Sequence, residues 1–154
     1  MPAIRYHDEL FPLVLIEWEG EASDAELQAH FAQLDAYGRS ALRRLVVYDL
    51  RRGLRVGHAQ RQQFSGWIHR NTELLRTMNL AVFFVTASPV ERIILRATLF
   101  AQPLGCPTRT FPDLDEALAE AARRFEAAGN HLTALRIRAR LARVGGAPGV
   151  GSGA

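Results

Sequence analysis

Leu45-Val46-Val47-Tyr48-Asp49-Leu50 is a continuous apolar run broken only by Asp49 near its end. A strand with one wet face alternates apolar and polar residues, whereas a strand covered on both faces reads as an unbroken hydrophobic run. The stretch therefore predicts a strand buried within a sheet that carries helices on both sides. Leu80 to Val85 reads the same way and supplies a second such strand.

Helix signals flank these runs. Ser23-Asp24-Ala25-Glu26 is a capping box, in which the hydroxyl serves the N3 amide and the glutamate reaches back. It opens a helix with Leu27, Phe31 and Leu34 on one face, ending near Tyr37-Gly38. Ser88-Pro89-Val90-Glu91 is a second box, with proline at the first helical position, and its helix runs to about Phe100. Asp113 caps a further helix with Glu116 at N3 and a stripe of Leu114, Ala117, Leu118, Ala121 and Phe125. Between Arg51–Gly57, a loop with two glycines, and Leu80, helical spacing of Phe64, Trp67, Ile68, Leu75 and Met78 predicts one long helix, bent at Gly66. Ile4–His7 and Leu13–Glu19 read as an opening hairpin, and Thr108–Phe111 as a short last strand. The order is β-β-α-β-α-β-α-β-α, an α/β single domain with a central mixed sheet covered by helices. Residues 1–127 form that domain, 128–144 a basic amphipathic C-terminal helix, and 145–154 a Gly-rich tail expected to be disordered.

This layout resembles the STAS superfamily, in particular the SpoIIAA-like proteins related to CRAL-TRIO lipid-binding domains. The opening hairpin, the Ser23 helix, the Val46-to-Leu50 strand and Phe111-x-Asp113-x-Asp115-Glu116-Ala117-Leu118 carry the resemblance, which covers roughly residues 4–125. It implies a mixed sheet and a regulatory or binding role without catalysis. In the anti-sigma-factor antagonists of that superfamily a Ser or Thr just after the Asp-containing strand is phosphorylated. The matching stretch here, Arg51-Arg52-Gly53-Leu54-Arg55-Val56-Gly57, has no hydroxyl, so that switch lacks its acceptor.

Composition narrows the function classes. A chain of 154 residues, 48% hydrophobic and 23% charged, suits one globular domain. All 19 basic residues are arginine. Without lysine there is no Walker P-loop, no Schiff base and no kinase-type ATP lysine. The lone Cys106 forms no internal disulfide, and with no signal-like N-terminus the expectation is a cytoplasmic protein. The apolar stretch Leu80 to Val90 is too short to span a bilayer.

No motif assembles a reaction. The histidines His7, His30, His58, His69 and His131 lack metal-ligand spacing, and Ser65-Gly66 lies outside any Gly-x-Ser-x-Gly elbow. Neither catalytic residues, a metal nor a cofactor are expected. Asp49, at the end of a buried strand, is expected to pair with a nearby arginine or to receive backbone amides at the strand end. Arg51, Arg52 and Arg55 surround two glycines ahead of a helix and form a candidate anion contact; a solvated loop reads equally from the same residues. Phe83, Phe84, Phe100, Trp67 and Ile68 would line an apolar pocket in a lipid carrier, or simply fill a core.

The excess charge sits at the C-terminal end. Arg136, Arg138, Arg140 and Arg143 follow Ala127 with no acid among them, while the other 15 arginines face 16 acids. Arg136, Arg140 and Arg143 make one stripe; Ala134, Ile137, Leu141 and Val144 make an apolar one. Such a helix docks on a partner, rests on an anionic surface, or packs on its own domain. Arg136, Ile137, Arg140, Leu141, Arg143 and Val144 are the candidate partner-contact residues. Nucleic acid is not expected, for want of interleaved aromatics. The expected function is a non-catalytic regulatory or protein–protein interaction module, homodimeric or bound to another protein; the alternative is a carrier of a small apolar ligand.

Overall fold

A central five-stranded sheet runs in the order β1 (Ile4–His7), β2 (Leu13–Trp18), β4 (Arg44–Asp49), β6 (Asn79–Val85), β7 (Thr108–Phe111) in the computed structural model, which describes residues 2–145. β1 and β2 are antiparallel, and the remaining neighbours are parallel. β3 (Gly20–Glu21) and β5 (Leu54–Arg55) pair as a separate two-stranded ribbon. The helices are α1 (Asp24–Gly38), α2 (His58–Arg70), α3 (Thr72–Met78), α4 (Pro89–Ala101), α5 (Leu114–Ala127) and α6 (His131–Gly145).

The run at Leu45 is buried on both faces, as its composition requires. Register places Leu15, Val47, Phe83 and Arg109 in one row across the sheet and Ile16, Tyr48, Phe84 and Thr110 in the next. Successive side chains of a strand point to opposite faces. The first row meets α5 and α6 in a core that includes Leu45, Ala121, Phe125 and Ile137. The second joins Trp18, Leu27, Phe31 and Trp67 under α1 to α3. Each large side chain removed from water in these layers contributes about 2 kcal/mol.

Three of the helix starts expected from sequence are capped. Ser23, Ser88 and Asp113 accept from the backbone N–H of Glu26, Glu91 and Glu116. The return bonds of the boxes take other partners. Glu26 accepts from the Ala3 N–H at 3.0 Å, tying α1 to the start of β1, and Glu91 accepts from the Thr86 hydroxyl. Replacing Asp113 by Ala is expected to cost about 1 kcal/mol in urea denaturation. A midpoint unchanged from the parent would show that α5 does not depend on its cap.

Two local expectations are corrected. The long helix is broken at Asn71 and not bent at Gly66. The Asn71 side chain donates to the Trp67 carbonyl at 2.8 Å, and the Thr72 hydroxyl donates to Ile68 and His69 carbonyls. Side chains that bond nearby carbonyls in this way compete with the helical ladder. The 51–57 loop contains a strand, β5, which its exposed Leu54-Arg55 pair gives no periodic signal to reveal.

The C-terminal helix is not an appendage. Ala134 and Ile137 are buried in the α5/α6 core, and Leu141 packs against it. Gly145 closes α6, and the rest of the stretch expected to be disordered lies outside the described residues. No helix among the described residues is long and apolar enough to cross a membrane.

Candidate functional site

The end of β4 carries Asp49, which is buried and bonded to one neighbour. Arg51 donates its Nε to Oδ1 at 2.9 Å, its Nη2 to Oδ2 at 2.8 Å and its backbone N–H to Oδ1 at 3.2 Å. Burial alone would raise the Asp49 carboxyl, but these bonds outweigh it and hold the group below the usual carboxylate range. The three bonds fix the carboxylate against Arg51 at the end of the strand. Arg52 leans toward Glu19 at 3.4 Å, so the two arginines do not converge on one point. A shallow recess beside Arg51 is otherwise lined by Asp113, Leu114, Asp115 and Glu116, which makes it acidic. Arg55 lies exposed on β5, opposite Glu21 of β3 in the ribbon. Arg51 and Arg52 thus bond different carboxylates, although both lower the Asp49 carboxyl, and Arg55 stands on β5.

The most polar part of the core is centred on His30, which is fully buried on α1. Its Nδ1 lies 2.6 Å from the Tyr6 hydroxyl and its Nε2 3.1 Å from that of Tyr48. The ring packs among Trp18, Phe31 and Phe64. Burial lowers its pKa to about 4 and raises that of Tyr6 to about 12. Both nitrogens are already bonded, so the imidazole is a satisfied core group. Burial also pushes up the Cys106 thiol, which leaves it less reactive than a free thiol. Among the described residues no three His, Cys, Asp or Glu side chains come together as a metal site.

The pocket-lining candidates do not converge. Phe83 faces α5 and α6, while Phe84, Trp67 and Ile68 belong to the opposite layer. Phe100 stands 91% exposed. On α6 the expected contact residues separate in the same way. Ile137 is fully buried and has no surface to offer while the helix is docked; Leu141 is half-buried. Arg136 donates to the Glu9 carbonyl at 2.6 Å, and Arg140 lies 3.9 Å from the Glu9 carboxylate, so this part of the stripe fastens α6 to the β1–β2 loop. Arg143 and Val144 remain exposed.

The main unpartnered surface is on α4, which the sequence reading did not single out. The helix has no buried residue. Val90, Ile93, Ile94 and Phe100 are each more than half exposed, and at helical spacing they share one face with Ala97. Leu95 and Leu99, on the inner side, are half-buried. Monomeric proteins rarely leave so many large apolar side chains together in water, and such patches mark interaction sites. The signal was present in the sequence: Val90, Ile93, Ile94, Leu95, Leu99 and Phe100 occupy too wide an arc for one buried face. The chain matches no family model, no curated protein and no solved structure.

Proposed function

We propose that the protein is a non-catalytic STAS-like interaction module of a regulatory kind that engages a protein partner through the outer face of α4. The observation that carries this reading is a whole amphipathic helix whose apolar face is turned to solvent. Supporting it, the mixed sheet opening on an antiparallel pair agrees with the resemblance drawn from the sequence. Asp49 and His30, two buried polar groups of the sheet and its helices, are bonded to neighbouring side chains, as expected of groups that hold a scaffold together.

A pull-down with the full chain from cells of its source tests the reading. A protein retained by the parent should be lost, by about tenfold or more, with Ile93→Glu/Ile94→Glu. Arg136→Ala/Arg140→Ala should retain it, because those arginines bind their own β1–β2 loop. Retention unaffected by the α4 changes would defeat the proposal. Native mass spectrometry of the same preparation checks the carrier reading, which requires a co-purifying small molecule.

A further inference from the structure

β7 is the terminal strand of the sheet, and no further strand covers its outer edge among the described residues. The Val82 N–H donates to the Pro107 carbonyl and the Thr86 N–H to the Phe111 carbonyl. Backbone groups along a strand alternate sides, so residues 107, 109 and 111 serve β6 while Thr108 and Thr110 turn theirs outward. Among the described residues no backbone group bonds these outward N–H and C=O groups. An edge of this kind is a template for another strand unless it is covered. α4 runs beside it without closing it, leaving an open groove of about 400 Å³ lined by Arg96, Leu99, Phe100, Thr108, Arg109 and Thr110.

The two sides of this edge have different chemistry. Toward α4, where Thr110 points, Leu99 and the 91% exposed Phe100 supply apolar surface. Arg96 lines the same side and donates its Nε to the Thr110 hydroxyl at 3.3 Å. Toward α5, Arg109 continues the row of Leu15, Val47 and Phe83, its guanidinium 5.0 Å above the Phe111 ring. Glu120 is shared there by Arg109, Arg123 and Arg124, at 3.7, 2.6 and 3.1 Å. One carboxylate among three guanidiniums leaves positive charge in excess.

We propose that this edge binds an extended segment of a partner as an added strand, with apolar side chains toward α4 and acidic ones toward Arg109 and its neighbours. Strand addition of this type takes its affinity from backbone hydrogen bonds and its selectivity from alternate side chains. The inference rests on the interaction-module reading and gives the partner's chemistry. A second copy of the chain fits the edge less well. Two-fold pairing would bring two arginine clusters together, and like charges across a strand pair are destabilising.

The probe is a fluorescein-labelled peptide alternating glutamate with valine, titrated into the full chain and read by anisotropy. Saturable binding is expected, weakened about tenfold by Arg109→Ser/Arg123→Ser. The same peptide with lysine for glutamate should not bind. Hydrogen exchange at the Thr108 and Thr110 amides should slow in the complex. Thr110→Pro removes one outward donor while sparing the β6 ladder, and it should abolish binding; if it fails to fold, the exchange measurement on the parent decides. Absence of binding, equal uptake of the lysine peptide, or unchanged exchange at both threonines would overturn the proposal. So would a dimer in sedimentation that Thr110→Pro dissolves, since the edge would then belong to a second copy. If no peptide binds yet Ile93→Glu/Ile94→Glu still releases a cellular partner, the strand-addition groove fails and the interaction module stands.

Discussion

Acidification from pH 6.5 to pH 4 is expected to remove about 3 kcal/mol of folding stability through His30 alone. The folded chain holds this imidazole neutral because burial lowers its pKa from 6.5 to about 4. The unfolded chain accepts the proton first as pH falls. Stability from this group is therefore complete above 6.5, declines as pH drops below it, and is gone near 4. Protonation also makes both ring nitrogens donors, so the Tyr6 and Tyr48 hydroxyls must both accept and find new partners for their own protons. No carboxylate bonds the ring to offset the charge. The lowered carboxyls of Asp49, Glu120 and Glu126 act in the opposite manner: their contributions are present above their unfolded values, near 4, and are lost only at lower pH. The two windows hardly overlap. Urea midpoints across this range should slope for the parent and flatten for His30→Gln, which keeps hydrogen-bonding capacity without a titrating ring. Parallel slopes in the two proteins would show that His30 is not the group responsible.

The second large effect concerns α6. Ile137→Ala is expected to destabilise the whole domain by about 3 kcal/mol, because its side chain is fully buried against the α5 side of the sheet. Leu135, two residues earlier and 62% exposed, should tolerate Ala within about 0.5 kcal/mol. Folding stabilities of small domains lie at roughly 5–15 kcal/mol, so the first change removes a large fraction and the second almost none. Equal midpoints for the two variants would mean that α6 does not dock in solution. A consequence follows for truncation experiments. Removing 132–144 would expose Phe125 and Ala121 and unfold the α5 layer, so loss of partner binding after such a cut would say nothing about contact by the helix.

These two effects also show how differently residues can be read from a sequence. Ile137 belongs to a stripe that is plainly amphipathic, yet periodicity identifies an apolar face without saying what covers it. Docking on the sheet and docking on a partner require the same residues. His30 falls on the apolar face of α1 with Leu27, Phe31 and Leu34, so its spacing marks burial, but nothing local tells what the fold brings beside the ring. Tyr6 and Tyr48 come from strands 24 and 18 residues away.

The amino-acid order by itself determined the α/β class, the alternation of the five sheet strands with helices, the capped helix starts and the need of Asp49 for nearby donors, an arginine or backbone amides, both of which Arg51 supplies. Each of these depends on interactions within a few residues or on burial of a whole strand, and both leave a periodic or compositional mark. Tertiary structure alone decided the break at Asn71, the β3–β5 ribbon, the different carboxylates bonded by Arg51 and Arg52, the burial of Ile137, and the exposure of α4. These depend on which surfaces meet after folding. A helix whose apolar residues span so wide an arc cannot bury them all on one face, and only the packing beside β7, with no covering layer among the described residues, settled that Val90, Ile93, Ile94 and Phe100 are those that face the solvent.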